Sequence, residues 1–349
     1  MIESDARELI QEAIDQGVSD IHLLPQYKEY QLYFRINGKL VPIEKKESEW
    51  CQRLISYFKF LANMEVGEKR KPQSGATYLD LKNERVELRF STITNVKLYE
   101  SIVIRVLRQV QSSLGDLHVY FSNDLCKLKE FIRRKSGLVL FSGPVGSGKT
   151  TTIYQLLRDR MTQEEIQVIT MEDPVEIYEE RFLQTEVNIK AGITYDMLIK
   201  SSLRHHPDIL MIGEIRDEIT ARMVIRGALT GHLMIATIHA KNTLGVLARL
   251  EELKVTRIQL EQTLIGVVSQ RLVPKYCYSC HGTCQINCKV IENDKKRAAI
   301  FEVLTDKELK YFYGMDHLPK GYPTLNDRLR KAWLYGYIDK QTYTHFEVV

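Results

Sequence analysis

The sequence of 349 residues has no long apolar run and no recognisable secretion signal. No run approaches the length of about 18 apolar residues that a membrane-spanning helix needs. The N-terminal stretch "MIESDARELIQEAIDQG" is charged and amphipathic and lacks the apolar centre of a signal peptide. We therefore expect a cytoplasmic protein whose membrane contact runs through a partner.

A strong charge of either sign is also absent. Lys and Arg total 49 against 45 Asp and Glu, which gives a formal net charge of +4. This excess is too small to indicate nucleic-acid binding by itself, and no basic strip interleaved with aromatic residues is present. We expect no stable direct binding of nucleic acid. The chain contains neither an internal repeat nor a low-complexity segment, and its share of 44% hydrophobic residues is typical of a globular protein.

Cysteine is scarce outside one short segment. Cys51 and Cys126 stand alone, and we interpret both as buried core thiols. The remaining four crowd together as Cys277, Cys280, Cys284 and Cys288. In a cytosolic chain such a cluster favours metal over disulfides, and four thiolates can surround Zn²⁺. We predict a structural zinc site; an iron–sulfur cluster, four reduced thiols, and His281 in place of one cysteine are the alternatives.

The hydrophobic pattern divides the chain near residue 119. Residues 1–108 mix short alternating strands with helices and predict a small α/β domain, with a β-hairpin at Asn37-Gly38. The polar residues 109–118 are interpreted as a linker. In residues 119–349 apolar strands alternate with helices, which predicts a parallel sheet covered on both faces. Further helices are expected around the cysteine cluster and down to the C-terminus.

The segment "GPVGSGKT" fits the pattern G-x-x-x-x-G-K-[ST] in full, between a predicted strand and a predicted helix. A glycine-rich turn without function is the alternative, but a full match in this place argues against it. Lys149 is expected to reach the β- and γ-phosphates of ATP, and the Thr150 hydroxyl to ligate Mg²⁺. The predicted nucleotide-binding residues are Gly143, Pro144, Val145, Gly146, Ser147, Gly148, Lys149, Thr150 and Thr151.

Three further predicted strands end in residues that suit hydrolysis. "DILMIGEIRD" ends beside Glu214, "ITMEDPVE" supplies Glu172, Asp173 and Glu176, and "TGHLMIATIHA" ends at His239. Ligands bind at the carboxyl ends of strands in an open parallel sheet, so we expect the acids at the phosphate edge. A carboxylate there orients the attacking water or assists the metal. A solvated loop charge is the alternative for Glu214, and a structural hydrogen bond is the alternative for His239.

The order of these motifs resembles the Walker A, Asp box, Walker B and His box of the secretion ATPases, which drive type II secretion and type IV pilus assembly. The segments "VSDIHLLP", "YFRINGKL", "VELRFSTITN" and "SIVIRVL" resemble the N-terminal domain of that family. The resemblance implies a RecA-like P-loop motor domain working as a homo-hexamer. It assigns Glu214 to Walker B, His239 to the His box and Glu172 to the Asp box. It also brings Arg89 and Arg105 to the nucleotide phosphates; a solvated strand face is the alternative for both.

The resemblance further implies an ATP-hydrolysing motor at the inner face of the cell membrane, working with an inner-membrane platform protein. The cysteine cluster and the short chain favour the branch that assembles a pilus, most of all the competence pilus for DNA uptake, or else a type II secretion pseudopilus. A pilus retraction motor is the first alternative. A nucleotide-dependent DNA-binding protein and a non-catalytic ATP-binding scaffold are the others, although Glu214 argues against the scaffold.

Overall fold

The chain divides into two compact units, residues 1–111 and 112–349. Most of the predicted linker, residues 109–116, lies outside the residues described, and the domain boundaries stay a prediction. The computed structural model describes residues 2–36, 38–81, 85–108, 117–284, 288, 290–292 and 295–348.

The N-terminal unit is a six-stranded sheet with two helices. Its elements are α1 (Ile2–Asp15), β1 (Val18–Pro25), β2 (Glu29–Ile36), β3 (Lys39–Glu47), α2 (Ser48–Leu61), β4 (Gln73–Asp80), β5 (Arg85–Thr94) and β6 (Glu100–Arg108). Neighbouring strands are antiparallel in the order β3-β2-β1-β6-β5-β4. Ile36 lies opposite Lys39, which confirms the predicted hairpin, although Asn37 is not among the described residues. Buried and exposed residues alternate along β5, as expected for a sheet covered on one face.

A buried ion pair joins α2 to this sheet. Lys59 Nζ lies 2.8 Å from Glu100 Oε1, and both side chains are buried. Lys59 also donates a hydrogen bond to the carbonyl of Glu68 at 2.6 Å, and the Tyr30 hydroxyl donates to the carbonyl of Glu100 at 2.9 Å. A charge buried this deeply is tolerated only while its partner is present. The pair therefore fixes the loop after α2 against the start of β6.

The second unit is built on a seven-stranded sheet. Its helices are α3 (Ser122–Ile132), α4 (Lys149–Met161), α5 (Tyr195–Ser202), α6 (Glu218–Leu229), α7 (Thr243–Glu252), α8 (Arg257–Thr263), α9 (Asp306–Met315), α10 (Leu325–Leu334) and α11 (Lys340–Phe346). Its strands are β7 (Gly137–Ser142), β8 (Val168–Glu172), β9 (Leu183–Glu186), β10 (Ile209–Ile212), β11 (Leu233–Ile238), β12 (Leu264–Pro274) and β15 (Arg297–Thr305), and a separate two-stranded ribbon consists of β13 (Tyr276–Cys277) and β14 (Gly282–Thr283).

The strand order is β15-β12-β7-β11-β10-β8-β9, and all neighbours are parallel except β12 and β15. The central strands β7, β10 and β11 are buried along their whole length, because helices cover both faces of the sheet. This confirms the predicted α/β fold class with a RecA-like parallel sheet. Parallel neighbours end at the same edge, so the loops after β7, β8, β10 and β11 are brought together.

Two expectations about the second unit are wrong, although the helices expected towards the C-terminus are present. Strands β12 and β15, rather than helices, flank the cysteine cluster on both sides, and helices return only from α9 onwards. Both strands are apolar and almost continuously buried, a pattern that periodicity alone does not separate from a buried helix. Cys126 is exposed on α3, whereas Cys51 is buried as predicted. A single cysteine in the sequence does not indicate whether its side chain lies on the buried or the exposed face of a helix.

Replacing Lys59 by Ala tests the buried ion pair, because it leaves the Glu100 carboxylate buried without a counter-charge. We expect the free energy of unfolding of the N-terminal unit to fall by about 3 kcal/mol. Trp50 and Trp333 are the chain's two tryptophans, one in each unit. In a Trp333→Phe background the fluorescence of Trp50 therefore follows urea unfolding of the N-terminal unit.

The matched control for this measurement is Arg53→Ala, an exposed substitution on the same helix. We expect it to change the free energy of unfolding by at most about 0.5 kcal/mol. Equal transition midpoints for Lys59→Ala and Arg53→Ala would contradict a stabilising role for the buried pair.

Candidate active site

The loop between β7 and α4 has the backbone of a phosphate-binding loop. Gly143, Gly146 and Gly148 have φ angles of 144°, 75° and 83°, in the left-handed region that favours glycine. A Cβ atom on Gly143 would lie 2.5 Å from the carbonyl oxygen of Gln270, so a larger residue does not fit there. The loop leads into α4, and the unpaired N–H groups at a helix N-terminus attract an anion.

The side chain of Gln270 on β12 supports this loop. The sequence did not predict this role of Gln270. Its Nε2 donates a hydrogen bond to the carbonyl of Ser147 at 2.7 Å, and the contact is buried. In the part of the chain that the structure describes, the Gln270 Oε1 and Ser147 Oγ atoms have no hydrogen-bond partner. The amide of Gln270 thus orients one peptide of the loop, and with it the N–H groups that follow. No local signal pointed to this residue, because only the pairing of β12 with β7 brings it to the loop.

Lys149 points back into the loop that precedes it. Its Nζ donates hydrogen bonds to the carbonyls of Gly143 at 2.9 Å and Pro144 at 3.1 Å. Burial lowers the pKa of the Lys149 ammonium, while the charges of Glu176 and Glu214 oppose that shift. The ammonium group and these two carboxylates are therefore close enough to interact. Thr150 and Thr151 follow in the first turn of α4.

Glu214 and His239 come together at the carboxyl edge of the sheet. Glu214 Oε2 lies 3.6 Å from His239 Nε2, although the two residues follow different strands, β10 and β11. Glu214 also forms an ion pair with Arg216, whose NH1 group lies 2.9 Å from Asp173 Oδ2 after β8. Three loops that are distant in the sequence are thus linked by one chain of polar side-chain contacts. Arg216 was not predicted, since an arginine next to an acid is common on any surface.

Short backbone links hold Glu214 in this position. The N–H of Gly213 donates to the carbonyl of Met171 at 2.7 Å, and the Thr237 hydroxyl donates to the carbonyl of Gly213. Three residues later Asp217 caps α6 by accepting the N–H of Thr220 at 2.8 Å. The segment "GEIRD" is therefore a short, fixed connection between β10 and α6, not a loose surface loop.

Glu172 lies in a different environment from the other acids. The sequence predicts its carboxylate at the phosphate edge, whereas the side chain is only 3% exposed and is enclosed between β8 and α4. It accepts hydrogen bonds from the Tyr154 hydroxyl and from Thr170 Oγ1, the latter at 2.7 Å. Burial raises the pKa of the Glu172 carboxyl, although these hydrogen bonds oppose the shift. The contact with Tyr154 ties the Glu172 carboxyl to the helix that follows the phosphate loop, and its predicted catalytic role stays a prediction.

Arg89 and Arg105 lie directly opposite each other on β5 and β6. The guanidinium of Arg105 donates from Nε to Asp20 Oδ1 at 3.0 Å, and Arg35 Nε lies 3.6 Å from the other oxygen of Asp20. Arg89 donates from Nε to Glu87 at 2.8 Å. These arginines form a charged row on the partly exposed face of the N-terminal sheet, held by carboxylates of their own unit.

The four clustered cysteines are arranged as metal ligands. Their Sγ atoms all lie within 4.8 Å of one another, and those of Cys277 and Cys288 are 3.9 Å apart. A tetrahedral zinc ion with Zn–S bonds of about 2.3 Å separates its sulfur ligands by about 3.8 Å. The backbone N–H of Val290 lowers the pKa of Cys288 to about 7, which favours the thiolate. The donor set fits structural zinc, and His281 does not belong to the group among the residues described.

The parallel sheet, the phosphate-binding loop and the acids at neighbouring strand ends define a RecA-like P-loop protein. Residues 1–317 match the family described as type II/IV secretion system protein, and the chain belongs to that family. It is 38% identical over 346 residues to the competence protein ComGA of Bacillus subtilis (strain 168). This alignment covers 98% of this chain and 97% of the relative.

Solved structures show the same fold. The Legionella pneumophila ATPase DotB matches with a TM-score of 0.74 and 18% identity, over 97% of this chain and 93% of DotB. The pilus retraction motor PilT with bound ADP matches with a TM-score of 0.67 and 23% identity, over 98% of this chain and 96% of PilT. No helix within the described ranges is both long and apolar enough to cross a membrane.

Replacing Gln270 by Ala removes the donor that orients the Ser147 carbonyl. We expect the dissociation constant for a fluorescent ATP analogue to rise about tenfold, which corresponds to the loss of one buried hydrogen bond. Titration of the purified protein measures this constant. Gln341→Ala, an exposed substitution on α11, is the control and should leave it unchanged. Wild-type affinity in Gln270→Ala would show that the loop needs no support from β12.

Proposed function

We propose that this protein is an ATP-hydrolysing motor that powers the assembly of a type IV-like competence pilus for DNA uptake. The observation that carries the proposal is that Glu214 meets His239 at the edge of the sheet where the neighbouring strand β7 leads into the phosphate-binding loop. Support for the pilus comes from the likeness to a competence protein over 98% of this chain. A type II secretion pseudopilus is the related alternative load, since the family description names type II secretion systems.

In this proposal residues 143–151 bind ATP. Lys149 exchanges its two carbonyl contacts for the β- and γ-phosphate oxygens. The Thr150 hydroxyl would hold Mg²⁺, which would neutralise phosphate charge. Glu214 orients the attacking water and accepts its proton. His239 is placed to keep that carboxylate aligned or to contact the γ-phosphate, because its Nε2 lies 3.6 Å from Glu214. The ion pair with Arg216 restricts the Glu214 side chain to this edge.

The two arginines of the N-terminal unit are proposed to couple hydrolysis to movement. Arg105 is held by Asp20 at 3.0 Å and Arg89 by Glu87 at 2.8 Å. A γ-phosphate competes with these carboxylates for the same planar donors, and guanidinium groups suit such an exchange. Binding and loss of the γ-phosphate would then change the partner of each arginine and shift the N-terminal unit.

The family membership supports a homo-hexamer that works with membrane machinery. We propose an inner-membrane platform protein as the partner that receives the force, and a cytoplasmic position at the inner face of the cell membrane. A structural zinc ion at the cysteine cluster completes the proposed set of ATP, Mg²⁺ and Zn²⁺.

Two substitutions separate nucleotide binding from hydrolysis. Lys149→Ala removes the phosphate contact, so we expect it to abolish both. Glu214→Gln keeps the shape of the side chain but cannot accept a proton; we expect ATP binding to persist and the hydrolysis rate to fall at least about 100-fold. Phosphate release by the purified hexamer measures the rate. Glu251→Gln, exposed on α7, serves as the control, and a wild-type rate in Glu214→Gln would remove Glu214 from the mechanism.

The load of the motor is tested in a strain that carries Lys149→Ala. Loss of both DNA uptake and pilus fibres supports the proposed assembly function. An excess of fibres would indicate a retraction motor instead. A defect in protein secretion with normal DNA uptake would indicate the type II secretion pseudopilus.

The zinc proposal predicts about one zinc ion per chain in the purified protein. We expect Cys277→Ser combined with Cys288→Ser to reduce zinc content at least about tenfold, because two of the four thiolates are lost. Elemental analysis measures zinc and iron together. Cys126→Ser, outside the cluster, should retain the metal. Iron in place of zinc, or no metal in the wild type, would contradict the assignment.

A further inference from the structure

One end of the N-terminal unit presents apolar side chains to solvent. The turn between β5 and β6 is tight, since the Asn95 side-chain oxygen accepts the N–H groups of Lys97 at 2.9 Å and Tyr99 at 3.0 Å. Val96 at its apex is 99% exposed and Leu98 is 60% exposed. The turn is therefore held in a conformation that keeps two aliphatic side chains in water, which costs free energy unless a partner covers them.

The turn between β1 and β2 lies beside this apex. Tyr27 is 74% exposed, and the ammonium groups of Lys97 and Lys28 lie 5.0 Å and 5.9 Å from the centre of its ring. Cation–π contacts of this kind hold the lysines against the ring while leaving their charge at the surface. An aromatic side chain and two cations thus extend the apolar apex.

The loop after α2 adds three more cations at the same end. Lys69, Arg70 and Lys71 are all exposed, and the Thr94 hydroxyl beside the apex donates a hydrogen bond to the carbonyl of Lys69. The buried Lys59 amine, through the Glu68 carbonyl, anchors the loop from below. The basic loop is thereby placed next to the β5–β6 turn by contacts from two sides.

We propose that this end of the molecule binds an anionic lipid bilayer directly. We name residues 26–28, 69–71 and 95–98 the tip surface; together they carry five Lys or Arg residues and no Asp or Glu. Exposed apolar and aromatic groups enter the boundary between headgroups and acyl chains, and the surrounding cations contact lipid phosphates. The proposal is independent of ATP hydrolysis. It also departs from the expectation that membrane contact runs only through a partner.

The chemistry of the tip surface favours a bilayer over nucleic acid. Val96 and Leu98 offer no planar face for base stacking, and the ring of Tyr27 is already in contact with lysine. Acids are fewer than cations at this end of the unit. Glu68 keeps its negative charge while it accepts backbone N–H groups of the basic loop, so it offsets part of that loop's charge, and Glu29 pairs with Lys45. Glu65 is the exposed acid nearest in the chain, and the five cations of the tip surface still leave an excess of positive charge.

The test is sedimentation of the full chain with lipid vesicles in the absence of nucleotide. We expect binding to an equal mixture of phosphatidylcholine and phosphatidylglycerol, little binding to phosphatidylcholine alone, and weaker binding when salt is raised from about 0.1 M to about 0.5 M. Replacing Lys69, Arg70 and Lys71 together by Gln should weaken vesicle affinity at least about tenfold. Val96→Ser with Leu98→Ser should weaken it about fivefold.

Matched variants in the second unit control for charge and apolar surface. Lys310, Lys320 and Arg330 replaced together by Gln remove the same charge, and Ile258→Ser with Leu229→Ser removes similar exposed apolar area. Both should bind vesicles like the wild type, and an unchanged circular dichroism spectrum and urea unfolding midpoint of every variant confirm folding.

Three results would overturn the proposal: no binding of the wild type to anionic vesicles, equal loss in the control variants, or tip variants that weaken binding to duplex DNA and leave vesicle binding intact. Because no nucleotide is used, none of these outcomes bears on the proposed motor function.

Discussion

The close approach of β12 to the loop after β7 is the constraint on which the candidate site depends. The backbone of Gln270 lies where a Cβ on Gly143 would be, and its side chain holds the carbonyl of Ser147. Glycine at position 143 is therefore required by packing as much as by phosphate binding. The contact fixes one peptide of the loop that leads into α4, and the carbonyls of the same loop accept the hydrogen bonds of Lys149.

The parallel sheet then assembles the remaining chemistry around that loop. Parallel strands deliver their C-terminal residues to one edge, so Glu214 after β10 meets His239 after β11, and Arg216 reaches Asp173 after β8. These contacts fix the position of the Glu214 carboxylate, although Arg216 and His239 are themselves more than half exposed. The N-terminal unit contributes a different kind of surface, a row of arginines held by its own acids and a basic, apolar tip.

Much of this architecture was predictable, because it is encoded in short patterns. The fully apolar strands of the second unit and the alternation along β5 predicted the parallel and the one-sided sheet, and the full phosphate-loop motif located the site. The elements that were missed carry ambiguous patterns. The continuous apolar sequences of strands β12 and β15 are equally compatible with a buried helix. The sequence around Cys126 has no periodic pattern that indicates whether the residue is buried. The hydrogen bonds of Glu172 with Tyr154 and Thr170 were also not foreseeable from the sequence, and its predicted role stays a prediction.

By itself the sequence determined the fold class, the phosphate loop and the order of the strand-end acids, since each depends on residues close together in the chain. Tertiary structure alone decided which of those acids are buried, that Gln270 supports the loop, and that Val96, Tyr27 and Lys69 share one surface. The physical reason is that these features depend on contacts across many residues. Local periodicity indicates which face of a helix or strand a residue occupies. Only strand pairing and turn geometry decide which other residues that face contacts.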